Sequence, residues 1–139
     1  MKNRYQDWPL RLDAYVTARL HRPFAWGTQD CCQFARGAVK TQTGADPAKG
    51  WGLRPYKAAR GAIGQLARLG GLEKLPERAG MQPVPVLMAR RGDLVLVPNE
   101  THPALGVVVG SKVAYPGKEG LIYVTLKMCT AAWRVGGKV

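Results

Sequence analysis

The apolar pattern of this chain changes period at Gly92. Before it, apolar residues recur every three or four positions and glycines or prolines close each run. After it, the runs shrink to four to six residues rich in Val, Leu and Tyr. The first pattern suits one face of a helix and the second suits buried strands. Helices followed by antiparallel strands predict an α+β domain. A length of 139 residues suits one domain, spanning 1–139, with a real core.

The helical half divides at its punctuation. Asp7-Trp8-Pro9 has the form of a capped helix start, and Leu12, Tyr15, Val16 and Leu20 then share a face. His21-Arg22-Pro23 ends this helix. A second helix is predicted from Asp30 to Thr43, stopped by Gly44. A looser stretch runs from Ala45 to Arg54. A third helix opens at Pro55, carries Ala59, Ala62, Ile63 and Leu66 on one stripe, and closes at Gly70-Gly71. Residues 72–91, with prolines at 76, 83 and 85, read as an irregular connection. Strands are expected over 93–97, 105–109, 112–115, 121–126 and 131–135, in the order of a meander.

Chemistry concentrates at Cys31. The turn Pro23-Phe24-Ala25-Trp26-Gly27 leads through Asp30 into the second helix, and the cysteine stands in its first turn. Free N–H groups and the helix dipole favour a thiolate there. Its bland alternative is a small buried residue under the Trp26 turn. Cys32 lies about 100° further round and reads as core. Three cysteines, two of them adjacent, make a poor disulfide framework and suggest reduced thiols. A metal set of Cys31, Cys32, His102 and Cys129 lacks zinc spacing, so neither metal nor cofactor is expected.

A net charge of +12 favours polyanionic neighbours, yet the basic residues are scattered and form no tract. Direct nucleic-acid binding is thus compatible with the charge but not favoured by its pattern. No apolar run is long enough to span a bilayer, and the N-terminus lacks a signal core.

The order of motifs resembles the NlpC-type peptidoglycan cysteine peptidases, a papain-like superfamily, and more closely its small members in phage and prophage tail regions. That family's Pro-Tyr-x-Trp-Gly turn and Asp-Cys-Ser-Gly helix start correspond to Pro23–Gly27 and Asp30-Cys31-Cys32-Gln33. Its Gly-Asp-Leu-Val strand corresponds to Gly92–Val95, its His-Val-Gly strand to Ala104–Gly110, and its late Trp-Arg to Trp133-Arg134. The resemblance implies a papain-like, NlpC-type fold, with N-terminal helices packed on a small antiparallel sheet. It makes Cys31 the nucleophile, Asp93 a structural residue, and Phe24, Trp26, Gln29 and Asp30 the binding surface beside the thiol. The family's base falls on Ala104, the residue orienting that base on Ala114, and its tyrosine on Phe24.

His102, two residues before Ala104, is the one histidine near enough in sequence to replace the base, and Glu100 is the carboxylate beside it. Two functions follow from the resemblance. One is a structural, assembly or binding module of a phage or prophage tail, degenerate in catalysis. The other is an active cysteine peptidase or amidase that cleaves peptidoglycan stem peptides through Cys31. Its partners would be tail proteins or peptidoglycan, in the virion or in host cytoplasm during assembly.

Overall fold

The computed structural model describes residues 2–99 and 101–137; Glu100 lies outside them. It is an α+β architecture of five helices and a six-stranded antiparallel sheet. The helices are α1 (Trp8–Arg19), α2 (Cys31–Thr43), α3 (Ala48–Trp51), α4 (Ala59–Arg68) and α5 (Lys74–Arg78). The strands are β1 (Gln82–Val84), β2 (Leu94–Val97), β3 (Ala104–Val109), β4 (Lys112–Gly117), β5 (Gly120–Thr125) and β6 (Ala131–Arg134).

The central helix is α2. Its start is fixed by Asp30, which accepts the Gln33 N–H at 3.0 Å, and its end by Gly44 at φ +77°. Phe34, Ala35, Ala38 and Val39 are buried on one side, where α2 packs between α1 and strands β3 and β4. These residues share a core with Leu12, Trp51, Leu75, Leu94, Leu105, Val107 and Trp133. Alternation along the strands sends Val95, Val97, Val108, Val113 and Ala132 to the other face, where a second, smaller cluster forms.

The sheet order is β1-β6-β2-β3-β4-β5. β2 to β5 form the expected meander, but β6 returns to the far side of β2 and pairs Trp133 with Leu94. Residues 72–91 are not irregular: they hold α5 and β1. Pro76 sits in the first turn of α5, where an N–H has no partner inside the helix. Pro83 sits on an edge strand that pairs only with β6. β4 likewise runs through Pro116 to Gly117, because its ladder with β3 ends at Ala114. Asp7 is the N-cap residue of α1 with Pro9 in the first turn, as expected, but its carboxylate takes the Arg11 Nε at 2.7 Å rather than a helix N–H. One helix start differs from expectation. α4 begins at Ala59 rather than Pro55, because the Gln65 amide holds both backbone groups of Arg54 in an extended segment.

α2 is tied to the start of α3 by a two-point pair. Arg36 donates Nε to Asp46 Oδ1 at 2.9 Å and Nη2 to Oδ2 at 2.7 Å. Asp46 also accepts the Ala48 N–H, and its carboxyl is lowered to about 2, first by the Arg36 hydrogen bond. A carboxyl more acidic folded than unfolded stabilises fully above its unfolded value of 3.8, and that contribution is lost as pH falls towards 2. The Arg36 side chain is 38% exposed, so solvent screening reduces the effect to about 1 kcal/mol. Urea denaturation at pH 5 and pH 2 should therefore show Asp46→Asn losing about 1 kcal/mol less than the wild type over that interval. Equal losses would mean the pair contributes nothing.

Candidate active site

The loop before α2 is built to present a thiol. Ala25 and Gln29 exchange backbone hydrogen bonds of 3.2 and 2.8 Å, closing a tight loop over residues 25–29. Gly27 turns it at φ +83°, and a Cβ there would lie 2.1 Å from the Tyr56 carbonyl oxygen, so only glycine fits. Phe24 anchors the loop to the end of β4 by donating its N–H to Gly117 O at 3.0 Å. The rings of Phe24 and Trp26 meet edge to face, with centroids 4.8 Å apart.

Asp30 holds the parts together. Its buried carboxylate accepts the Gly27 N–H at 2.8 Å, the Gln33 N–H at 3.0 Å and the Tyr56 hydroxyl at 2.7 Å. It lines the cleft beside Cys31, but these bonds make it a brace for the loop, the helix start and the 54–56 segment. Gln29 departs further from expectation. It does not line the cleft, and its side-chain amide is buried with no hydrogen-bond partner among the described residues.

The cleft has a volume of about 490 Å³. Cys31 and Cys32 form part of its floor, Phe24 and Trp26 one lip, and Ala104 with His102 the side from the β2–β3 connection. α4 forms a further wall: Ala62, Ile63 and Leu66 line the cleft, while Ala62 is also buried and Leu66 packs against the main core, so the apolar stripe serves both core and groove. Ile63 is 45% exposed and Trp26 is 40% exposed. Glu73 is the carboxylate that this wall brings to the cleft. His102 is exposed at the rim and makes no hydrogen bond to another described residue. Glu100, considered as its orienting partner, lies outside the described residues.

Cys31 is half-buried. Its thiol is more acidic than usual, chiefly because the Cys32 thiol hydrogen-bonds to it. Burial opposes this and so does the charge of Asp30, while the N–H groups of Leu105 and Cys32 reinforce it. The β3–β4 ladder stops at the Val107–Ala114 pair, two residues short of Leu105, whose N–H is left to the sulfur. Cys32 is pushed well up by the same thiol–thiol bond and by burial. Of the two thiols, Cys31 is thus the one that ionises more readily. Cys32, assigned to the core, does pack there, and it also tunes its neighbour.

Tyr56, readable in the sequence only as one of several aromatic residues able to line a groove or join the core, stands in the site. Its hydroxyl bonds Asp30 and receives Gln33 Nε2 at 3.4 Å, and burial raises its phenol far above the ordinary range. It therefore stays a neutral hydroxyl within the cleft lining, although Phe24 occupies the position where the family resemblance places a tyrosine. Cys129 belongs to the cluster on the opposite face of the sheet, so the four-residue metal set is not assembled. Ala114 pairs with Val107 rather than facing Ala104, and it is buried in the core.

The Cys31–Cys32 arrangement makes a direct prediction. The iodoacetamide alkylation rate of Cys31, followed by peptide mass mapping against pH, should reach its midpoint below the ~8.5 of a free thiol. Cys32→Ala removes the main donor, so the midpoint should move upward. Identical midpoints in the two proteins would show that Cys32 does not set the acidity of Cys31.

The chain belongs to the family described as Domain of unknown function (DUF6950), which matches residues 3–135. No curated protein matches it.

Proposed function

We propose that this protein is a papain-like, NlpC-type domain of a phage or prophage tail, whose cleft binds peptidoglycan stem peptides and hydrolyses an amide through Cys31. One observation carries the reading: an acidified thiol at a helix start and an unengaged imidazole line the same cleft. Support for the fold comes from the placement of the motifs. Cys31 opens a helix packed on β3 and β4, and the strand from Ala104 forms the side of the cleft next to the thiol. The peptidoglycan substrate and the tail setting rest on the resemblance.

In this mechanism the Cys31 thiolate attacks the amide carbonyl carbon. The Cys31 N–H, first of α2, has no acceptor among the described residues and is the donor closest to the developing oxyanion. His102, carried inward on the β2–β3 connection, takes the thiol proton and returns it to the leaving amine. The amine departs with that proton, leaving a thioester. Water then attacks the thioester carbonyl, releasing the carboxylate and restoring the thiol. The apolar wall of α4 and the rings of Phe24 and Trp26 hold the peptide and exclude water.

A second reading has its own observation. Ala104, 8% exposed, lines the cleft where the family carries its base, which fits a module that binds the peptide without cleaving it. Incubation with a synthetic stem peptide, read by mass spectrometry and calorimetry, separates the two. Cleavage that disappears in Cys31→Ala supports the hydrolase. Binding without cleavage selects the module, and neither result excludes both. Detection of the chain in purified virions tests the tail setting.

A further inference from the structure

A second cavity, of about 460 Å³, shares no lining residue with the thiol cleft. Four arginines line it: Arg4 from the segment before α1, Arg90 and Arg91 from the turn before β2, and Arg134 at the end of β6. Asp93 is the carboxylate at their centre. Its Oδ1 accepts Arg4 Nη2 at 3.3 Å and the Val135 N–H at 3.0 Å; its Oδ2 accepts Arg134 Nε at 2.9 Å and the Arg90 N–H at 2.8 Å. A carboxylate offers about four acceptor sites, so Asp93 is saturated.

Arg134 is left incomplete. It is only 4% exposed, its Nη2 donates to Met88 O, and its Nη1 is buried without an acceptor among the described residues. A buried donor on a charged group is costly to leave unmade. The Arg90 guanidinium is exposed and has no hydrogen bond to another described residue. Arg91 is spent on Asp13, and Arg4 lies over the Trp8 ring at 4.0 Å. Among the described residues, four guanidinium groups against the carboxylates of Asp93 and Asp13 leave two positive charges uncompensated. The crowding registers on Arg4, which is made less basic by burial and by the charges of Arg134 and Arg90, against the pull of Asp93.

We infer that this cavity binds the phosphate group of a small phosphate ester or of free phosphate, held by the exposed Arg90 guanidinium and drawn by the buried positive charge of Arg134 behind it. A phosphate monoester carries about −1.5 to −2 at neutral pH, which matches the excess, and its oxygens accept from planar guanidinium forks. A cavity of about 460 Å³ leaves room for the first atoms of an ester beside the phosphate.

Isothermal titration with inorganic phosphate and with glycerol 3-phosphate, at constant ionic strength set by sodium chloride, tests the site. Wild-type protein should bind at least one of them, and its thermal midpoint should rise with that ligand but not with chloride. Arg90→Ala, a surface change, should weaken binding about tenfold or more, while Lys112→Ala, exposed at the start of β4, should not. Binding of both probes identifies an ester site, and binding of inorganic phosphate alone identifies free phosphate. Loss of neither affinity nor midpoint shift in Arg90→Ala overturns the inference, as does a response no greater than that to chloride. Because the two cavities share no residue, this result is independent of the thiol cleft.

Discussion

Asp93→Ala is expected to lower the thermal midpoint by roughly 10–20 °C, the largest stability loss of any single polar substitution considered for this chain. The side chain is fully buried, and its four bonds join the N-terminal segment, the turn before β2, and both the last strand and its exit. Alanine leaves Arg134 as a buried guanidinium without a counter-charge, and breaking such a pair from one side costs about 3–5 kcal/mol. That is a large part of the ~5–15 kcal/mol that holds a domain together. The cause is checked by a second change. Asp93→Ala combined with Arg134→Met removes the stranded charge and should recover part of the loss, since a buried ion pair replaced by apolar groups is often nearly neutral. Circular dichroism melts and urea titrations read both proteins. A single variant within about 1 kcal/mol of wild type, or a double variant less stable than the single one, would refute the uncompensated-charge account.

The contrast between Asp93 and Tyr56 shows what the sequence made readable. Asp93 stands in a local pattern, glycine then aspartate then an apolar run of leucine and valine, and its turn-closing bond to the Arg90 N–H is local too. Asp30 and Gly44 are equally local, and both ends of α2 followed from them. Tyr56 belongs to no run or motif. It reaches the site because Gln65 clamps Arg54, eleven residues away, and because Asp30, twenty-six residues away, accepts its hydroxyl. Neither bond leaves a periodicity to detect.

The same reasoning accounts for α5 and β1. Their prolines suppress a helix or strand assignment on propensity alone, but tertiary context offers positions where the missing N–H costs nothing. The α4 stripe was visible as a stripe. Whether it faced a core or a groove depended on what the rest of the chain laid against it, and the described residues leave a cleft lined by both α4 and Cys31. The coupling of Cys31 to Cys32 was equally hidden. Helical geometry separates adjacent side chains by about 100°, yet two thiols at a helix start still lie close enough to share a hydrogen.

His102→Ala should separate two reactions of the same sulfur. Alkylation by iodoacetamide needs only the Cys31 thiolate, because iodide leaves without a proton. The acidity of that thiol comes from Cys32, Leu105 and the helix start, with no contribution from His102. The alkylation rate at pH 7 should therefore stay within a few-fold of wild type. Amide hydrolysis differs, because an amine leaves only once it is protonated, and a positioned acid–base group contributes about 10²–10⁴ in rate. Turnover of the stem peptide should accordingly fall about 10²–10⁴-fold in His102→Ala, and below detection in Cys31→Ala. The pH dependence has a definite sign. The nucleophile must be deprotonated and its folded value is below the ordinary thiol range, so the rate should climb with pH through a limb lying below ~8.5. Cys32→Ala should carry that limb upward together with the alkylation midpoint. A His102→Ala protein that hydrolyses the peptide at the wild-type rate would remove His102 from the mechanism. One in which alkylation and hydrolysis fall together would show that the histidine shapes the cleft instead of moving a proton. Only a loss confined to hydrolysis assigns the proton to His102, and with it the role of a base that the chain lacks at Ala104.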